Sequence, residues 1–155
     1  MKQFGRKEKD KQYNFRPGVY GLLINEENSL AVIETENGKF FLPGGGIEAG
    51  ETHQECLKRE AIEEMGMEIA VGSFIGCAQQ YFYSTNQCKY MLSEGHFYSC
   101  YQTGLLGEPS EPGHYLRWFS LVEAMEYLFH EHQVWAVGEV KNRLTNVGDS
   151  YGKDD

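Results

Sequence analysis

The sequence predicts a single domain of the α/β or α+β class. Strand-type runs of β-branched and aromatic residues occur before residue 43 and again between 69 and 119. A segment with a helix-capping signature lies between these two groups, and helical spacing of apolar residues returns after residue 120. The chain has 155 residues and 41% hydrophobic content, which is enough material for one core of ordinary size.

The first part of the chain is predicted to be strands joined by short turns. Residues 1–16 are charged and poor in aliphatic side chains, so they predict a loose arm or an edge segment. Strands are expected over residues 18–24, 30–34 and 39–42. The dipeptide Asn37-Gly38 predicts a tight hairpin turn between the last two.

The second half of the chain predicts a long hairpin followed by two helices. Residues 69–83 indicate a bent strand because Gly72 and Gly76 interrupt it, and 90–101 indicate the returning strand, with Gly95 as a bulge or break. Residues 104–113 form a predicted loop and 115–119 a short strand. Helical spacing covers 121–129 and 133–144, and 145–155 is polar. The predicted organisation is an arm at 1–16, a domain at 17–144 and a flexible tail at 145–155.

Between these parts lies a glycine-rich segment that leads into a helix. Pro43 and the three glycines after it predict a tight backbone turn that can approach a ligand closely. Thr52 followed three residues later by Glu55 is a capping-box signature, and Gly66 is a typical stop residue. A helix over residues 52–65 is therefore expected. Its apolar stripe should face the core, with these members: Leu57, Ala61 and Met65.

Three glutamates of this helix predict a metal site. Glu60, Glu63 and Glu64 have the spacing i, i+3 and i+4, which places them on one face where their charges repel. Residues 45–68 contain seven acids against two basic residues, a local balance of −5. A solvated acidic face gives the same spacing, but the glycine segment and the pair Glu51 and Arg59 favour a constructed site. Oxygen ligands suit Mg²⁺ or Mn²⁺ better than zinc.

This segment resembles the Nudix box, G-x5-E-x7-R-E-U-x-E-E-x-G-U with U apolar. Every specified position is matched: Gly45, Glu51, Arg59, Glu60, Ala61, Glu63, Glu64, Gly66 and Met67. The chain is therefore similar to Nudix hydrolases of the MutT-like, mutator type over about residues 17–144. The resemblance implies a Nudix-type α-β-α sandwich with a mixed sheet. It also implies Mg²⁺-dependent hydrolysis of a pyrophosphate bond, with Mn²⁺ as an alternative ion.

The resemblance also implies roles for individual residues. The expected metal ligands are the box carboxylates and one backbone carbonyl: Glu60, Glu63, Glu64 and Gly44. Glu60 and Glu63 are also the expected catalytic residues of the box. Glu51 and Arg59 are expected to hold the glycine segment against the helix.

Relatives activate the attacking water in two ways, with a carboxylate from a later loop or with a glutamate of the box. Glu111 is the preferred candidate base, because it lies in a proline-bounded loop shortly before the strand that contains Trp118. Glu108 is the second candidate and Glu94 the third. The alternative is that all three are solvated loop acids.

Several aromatic and histidine residues are further candidates. Four aromatic residues could stack on a nucleobase, because stacking needs only a flat ring, although core packing is the alternative: Tyr81, Phe82, Tyr83 and Tyr90. Of these, Tyr81 and Tyr83 are the candidate substrate-binding residues. In dinucleoside polyphosphate hydrolases a tyrosine follows the box at about the offset of Tyr83. Histidines at i and i+2 on a helix diverge, so His130 and His132 are predicted to be surface residues rather than metal ligands. A structural role is expected for two others: His96 and His114.

Composition limits the partners and the compartment. A net charge of −9 disfavours nucleic acid as a partner. Four cysteines without C-x-x-C spacing predict reduced thiols, and the charged amino terminus lacks the apolar segment of a signal peptide. No apolar run is long enough to span a bilayer. A cytoplasmic protein without a membrane partner is expected. Homodimers are common among relatives.

Three functions follow as hypotheses. The first is pyrophosphohydrolysis of a nucleoside triphosphate, of the housecleaning kind. The second is the same chemistry on a dinucleoside polyphosphate or a nucleotide-sugar. The third is a non-enzymatic ligand-sensing module, which the intact box disfavours.

Overall fold

The computed structural model describes the backbone of residues 1–153 and the side chains of residues 1–145. Within this part of the chain there are eight strands and three helices. In chain order they are β1 (Lys2–Phe4), β2 (Asn14–Leu23), β3 (Leu30–Thr35), β4 (Phe40–Phe41), β5 (Gly44–Gly46), α1 (His53–Met65), β6 (Met67–Ser84), β7 (Lys89–Leu105), β8 (His114–Phe119), α2 (Leu121–Tyr127) and α3 (Glu131–Lys153).

The strands form two sheets. The larger is mixed and has the order β1-β6-β7-β2-β5, in which β2 runs parallel to β7 and β1 parallel to β6. The smaller is antiparallel and has the order β4-β3-β8. Neighbouring residues of one strand face opposite cores: Leu23 packs with α1, whereas Leu22 packs with α2 and α3. The predicted mixed sheet between helices is confirmed.

Local sequence determines both ends of α1. The Thr52 side chain accepts a hydrogen bond from the Glu55 amide, and the Glu55 side chain accepts one from the Thr52 amide, which completes the predicted capping box. Gly66 ends the helix with a left-handed backbone, φ 64°. The predicted apolar stripe is buried: Leu57, Ala61 and Met65.

The glycine segment is a strand, not the predicted tight turn. Residues Gly44–Gly46 pair with β2 in antiparallel register. Gly44 has φ 138°, and a Cβ there would lie 2.1 Å from the Val19 carbonyl oxygen. A Cβ on Gly45 would lie 2.6 Å from Glu60 Oε1. The glycines therefore allow the backbone to approach β2 and the glutamates of α1 closely.

The long hairpin is bent where the sequence indicates. Register shifts between Val71, Phe74 and Gly76 distort β6, as expected for bulges. The predicted break at Gly95 is wrong, because β7 passes through it and continues to Leu105. Glycine at position 95 instead leaves room for a ring, since a Cβ would lie 2.7 Å from the Phe97 side chain.

The ends of the chain differ from the expected boundaries. Residues 1–16, predicted to be a loose arm or an edge segment, contain an edge strand, β1, which pairs with β6 and agrees with the second alternative. The last helix extends to Lys153 rather than to 144. The predicted flexible tail, 145–155, overlaps this helix. Its flexibility stays a prediction, because the side chains of 146–155 and the backbone of 154–155 lie outside the described residues. No helix in the described part of the chain is long and apolar enough to cross a membrane.

The prediction of a surface position for His132 is wrong. Its side chain is fully buried and its ring lies 5.5 Å from that of Phe97 and 6.2 Å from that of Tyr20, centroid to centroid. His130 precedes α3 and His132 lies in its first turn, so the divergence expected on a helix does not apply, and the two ring centroids lie 5.5 Å apart. Both rings pack against aromatic residues of the larger sheet, His130 on Phe82 and His132 on Phe97. Burial lowers the pKa of His132 to about 3 and that of His130 to about 4.

This burial predicts a loss of stability in mild acid. In the unfolded state His132 has a pKa of about 6.5 and takes up a proton below that pH, whereas in the folded state it stays neutral. The free energy of unfolding is therefore highest above pH 6.5 and falls as the pH decreases toward the pKa of the folded state. For His132 the loss between pH 7 and pH 5 is about 2 kcal/mol. Urea denaturation at both pH values should show a smaller pH dependence in His132→Gln, by about this amount. Equal pH dependence in parent and variant would contradict the assignment.

Candidate active site

The three glutamates of α1 lie at different depths beside β5. The Glu64 side chain is only 6% exposed, that of Glu60 13% and that of Glu63 39%. Glu64 accepts a hydrogen bond of 2.8 Å from the Gly44 amide. The predicted ligand of Gly44 is its carbonyl, and that role stays a prediction. The amide contact nevertheless fixes β5 directly against the buried carboxylate.

Arg59 joins the loop before α1 to the helix, in the arrangement that the sequence predicts. Its Nε and Nη2 donate to the two carboxylate oxygens of Glu51 at 2.6 and 3.0 Å. Nη2 also donates to the Gly46 carbonyl at 3.1 Å. In addition, Nη1 donates to Glu60 at 2.9 Å and to Glu63 at 3.4 Å. A single guanidinium thus orients one loop carboxylate and two carboxylates of the cluster.

The loop between β7 and β8 is attached to the carboxyl end of α1. The Leu106 amide donates to the Gly66 carbonyl at 2.8 Å, and the Glu111 amide donates to the Glu63 carbonyl at 2.9 Å. These bonds satisfy carbonyl groups that the helix end leaves free. They also bring the Glu111 carboxylate to the helix: one oxygen each of Glu60, Glu63 and Glu111 lie within 4.8 Å of one another.

His114 belongs to the site, although the sequence predicts only a structural role for it. Its Nδ1 lies 3.3 Å from Glu64 Oε2 and 3.5 Å from Glu111 Oε2. The contact with Glu64 raises the pKa of His114. The signal in the sequence is its position three residues after Glu111 in the same loop. The spacing alone does not show that the loop folds back onto α1.

The carboxylates around α1 are partly buried and close to one another, so a bound cation would relieve their repulsion. Burial raises the pKa of Glu64 to about 7, and it also raises the pKa of Glu60. Hydrogen bonds from Arg59, in contrast, lower the pKa of Glu51 to about 2. Five buried or half-buried carboxylates thus contact only two basic residues, three of them Arg59 and two of them His114. Their oxygen donors have the chemistry that suits a hard divalent cation. The donor set fits the Mg²⁺ or Mn²⁺ implied by the resemblance.

A cleft begins at Glu64 and leads away from the carboxylates. Its inner part has a volume of about 220 Å³ and its outer part about 400 Å³. The two parts share five lining residues: Thr35, Phe41, Phe82, His114 and His130. The rings of Phe82 and His130 are 4.5 Å apart, centroid to centroid. Arg16 and Gln133 add polar groups to the inner part.

Of the two predicted substrate-binding tyrosines, Tyr83 borders the cleft and Tyr81 does not. Tyr81 packs edge-on against Tyr13, with ring centroids 5.1 Å apart, and does not line this cleft. Tyr83 packs against Tyr90 at 4.9 Å and borders only the outer part of the cleft. Phe82 lies between them in the strand and therefore points to the opposite face of the sheet. Phe82 is thus the residue of this stretch whose ring lines the inner part of the cleft with Glu64.

The second and third candidate bases do not join the carboxylate cluster. Glu108 is exposed in the loop. Glu94 contacts His96 and Gln79, on the face of the larger sheet opposite the cleft. Glu111 is the one of the three candidates that lies within 4.8 Å of the glutamates of α1, among the side chains that the structure describes.

The fold and this site define a known class. The NUDIX domain family matches residues 14–137, which is more than half of the chain. The chain therefore belongs to the NUDIX domain family.

Individual relatives are similar over shorter stretches. The chain is 40% identical over 58 residues to ADP-ribose pyrophosphatase of Methanocaldococcus jannaschii, which is 35% of this chain and 34% of the relative. It is 30% identical over 81 residues to RNA pyrophosphohydrolase of Rickettsia africae, which is 50% of this chain and 48% of the relative. The chain thus covers less than half the length of either relative.

The fold is similar to solved structures over nearly the whole domain. The MutT protein from Methanosarcina mazei Go1 aligns with a TM-score of 0.63 at 23% identity. The alignment covers 86% of this chain and 97% of the other. At this identity the likeness shows the fold alone.

Proposed function

We propose that this protein is a metal-dependent pyrophosphohydrolase whose substrate is a nucleoside triphosphate. The observation that carries the proposal is the convergence of Glu60, Glu63 and Glu111 within 4.8 Å, next to Glu64, which shares Glu111 as a neighbour and lines an aromatic cleft. The carboxylates suit a hard cation and the cleft suits a flat base. Pyrophosphate and nucleoside can therefore be held side by side.

The residues that would hold Mg²⁺ are Glu60, Glu63 and Glu64, with the Gly44 carbonyl as a further ligand. Bound there, Mg²⁺ would neutralise phosphate charge and favour deprotonation of a water. Glu51 acts through Arg59, which holds the glycine segment and two of the carboxylates in place. The Gly44 amide and His114 orient Glu64.

Glu111 is the proposed general base, and a glutamate of the box is the alternative. Its carboxylate is 40% exposed, so it is accessible to water, and its backbone is fixed to Glu63. His114 Nδ1 lies 3.5 Å from one of its oxygens and can hold the carboxylate in position. Glu111→Gln should therefore reduce turnover strongly. A decrease in turnover of only a few-fold would assign the role of general base to a glutamate of the Nudix box instead.

The cleft favours a nucleoside triphosphate over larger substrates. Its two parts together fall within the range of about 300–1,000 Å³ that is typical of pockets for one small ligand. One nucleoside would fill it, and a second nucleoside or a sugar would extend into solvent. ADP-ribose, nucleotide-sugars and dinucleoside polyphosphates remain the alternative substrates of the same chemistry.

Phe82 should contribute to substrate binding by stacking on the base. Removal of one stacking ring costs about 1–3 kcal/mol, so Phe82→Ala should raise KM by about five- to a hundredfold with a smaller effect on kcat. The matched control is Tyr81→Ala, because Tyr81 packs on the other face of the same strand. Steady-state kinetics of both variants test this. Equal KM values in Phe82→Ala and Tyr81→Ala would show that the nucleobase does not stack on Phe82.

A substrate panel tests the proposed function. It measures phosphate and pyrophosphate release from nucleoside triphosphates, dinucleoside polyphosphates, ADP-ribose, nucleotide-sugars and a 5′-triphosphorylated RNA, with Mg²⁺ and with chelator. Mg²⁺-dependent turnover of triphosphates above all other classes would support the proposal. Preferential turnover of another class would identify that class as the substrate instead. No turnover of any class would favour a ligand-sensing module.

Two further expectations, about the location of the protein and about its partners, accompany this proposal. All four cysteines are free in the structure, which suits the cytoplasmic location that the sequence predicts. A small nucleotide is the proposed partner, with homodimerisation as a further prediction to be measured by light scattering.

A further inference from the structure

We propose that the protein has a second metal site, selective for a borderline divalent cation such as Zn²⁺, formed by Cys77, Glu94 and His96. One ligand atom of each residue lies within 4.8 Å of the others. The three residues come from adjacent positions of β6 and β7, where Cys77 pairs with His96 and Glu94 points to the same face.

The separations suit one ion. His96 Nε2 lies 3.2 Å from Glu94 Oε2. In a tetrahedral zinc site with bonds of about 2.0–2.3 Å, neighbouring ligand atoms are roughly 3.3–3.8 Å apart. The pair therefore already has nearly the spacing of two ligands. The Cys77 thiol lies within 4.8 Å of both atoms and would approach to about 3.8 Å in a bound state.

Surrounding side chains hold the ligands in place. Gln79 Nε2 donates to Glu94 Oε1 at 2.9 Å, which leaves Oε2 directed at His96. His53, the first residue of α1, lies with its ring centroid 4.5 Å from that of His96. Its Nδ1 is engaged at 2.8 Å with the Tyr98 hydroxyl. His53 does not belong to the group of ligand atoms within 4.8 Å of one another, so water would complete the coordination of the ion.

The donor set selects a different ion from that of the catalytic carboxylates. Thiolate and imidazole prefer Zn²⁺ over Mg²⁺, whereas an oxygen-only site prefers Mg²⁺. Burial, and then the Glu94 carboxylate, raise the pKa of the Cys77 thiol. The thiol is therefore protonated before binding, and Zn²⁺ should release a proton.

The two sites are separate. His53 is at the amino end of α1, and the catalytic glutamates begin seven residues later, which is about 10 Å along the helix axis. Ser93 and Met91, on the other face of β7, line the catalytic cleft, whereas Glu94 and His96 do not. A cation bound here would link β6 to β7 within the long hairpin. It should therefore act on stability rather than on the reaction.

Cobalt spectroscopy of the purified, metal-free full chain tests the site. Co²⁺ should give a near-ultraviolet thiolate charge-transfer band that saturates at one ion per chain and disappears when Zn²⁺ is added. Cys77→Ser should abolish the band and lower Zn²⁺ affinity at least tenfold. Gln79→Ala should keep the band and lower affinity by about 10- to 100-fold. A band of unchanged intensity in Cys77→Ser, or no band in the parent, would overturn the proposal.

Two controls make the result specific. Cys88→Ser removes an exposed thiol of the same hairpin and should leave the band unchanged. The double variant Glu60→Gln/Glu63→Gln removes the catalytic ligands and should also keep the band, because carboxylates give no thiolate absorption. As a second readout, Zn²⁺ should raise the melting temperature of the parent and of Cys88→Ser, but not that of Cys77→Ser. A shift of the same size in Cys77→Ser would also contradict the site.

Discussion

Glu63→Gln is expected to lower kcat by at least about a hundredfold while the fold remains intact. Interactions with a bound cation that stabilise transition-state charge contribute several kcal/mol, and each 1.4 kcal/mol is about tenfold in rate. Glutamine keeps the shape of the side chain but removes its charge. Steady-state turnover at saturating Mg²⁺ checks this, with the most active substrate of the panel.

The matched control is Glu126→Gln, which removes the same charge from an exposed position of α2. It should leave kcat within about twofold. The metal-free stability of Glu63→Gln should be unchanged or slightly higher, because the substitution relieves repulsion from Glu60 and Glu111. Near-normal turnover of Glu63→Gln would reject the metal assignment.

Gly44→Ala is expected to be the most destabilising of the substitutions considered, with a loss of more than about 3 kcal/mol in the free energy of unfolding. Position 44 has φ 138°, and the added Cβ would lie 2.1 Å from the Val19 carbonyl oxygen and 2.7 Å from Tyr20 Cα. Both are backbone atoms, so β2 and β5 would have to separate. Urea denaturation of parent and variant measures the loss.

The control for backbone strain is Gly38→Ala. Gly38 has φ 78° in the hairpin turn, and its Cβ would meet no atom within 4 Å. It should lose only about 1 kcal/mol, the cost of a left-handed conformation. Equal losses at the two positions would show that strain, and not the contact between β5 and β2, determines the effect.

The sequence predicts those parts of the site that depend on contacts between residues close together in the chain. Thr52, Glu55 and Gly66 fix the ends of α1 through contacts within a few residues, and the 3.6-residue period then places Glu60 beside Glu63. The pair Glu51 and Arg59 is predicted by the resemblance and is observed as a bidentate contact.

The remaining parts depend on how distant elements meet. His114 reaches Glu64 only because the preceding loop bonds to the end of α1. Phe82 lines the cleft and Tyr81 does not, because strand register determines which face a residue occupies. His132 is buried because the larger sheet packs against the start of α3, and the sequence of α3 alone does not show this contact. Such contacts have no signature in a single sequence.

If the glutamates of α1 form the site of a hard divalent cation, the metal-free protein should bind Mn²⁺. Titration with Mn²⁺, followed through the electron paramagnetic resonance signal of the free ion, measures this binding. We expect the parent to remove Mn²⁺ from solution and Mg²⁺ to displace it. Binding should be lost in Glu60→Gln/Glu63→Gln and retained in Cys77→Ser. Undiminished Mn²⁺ binding by the double glutamine variant would show that these glutamates do not hold the cation.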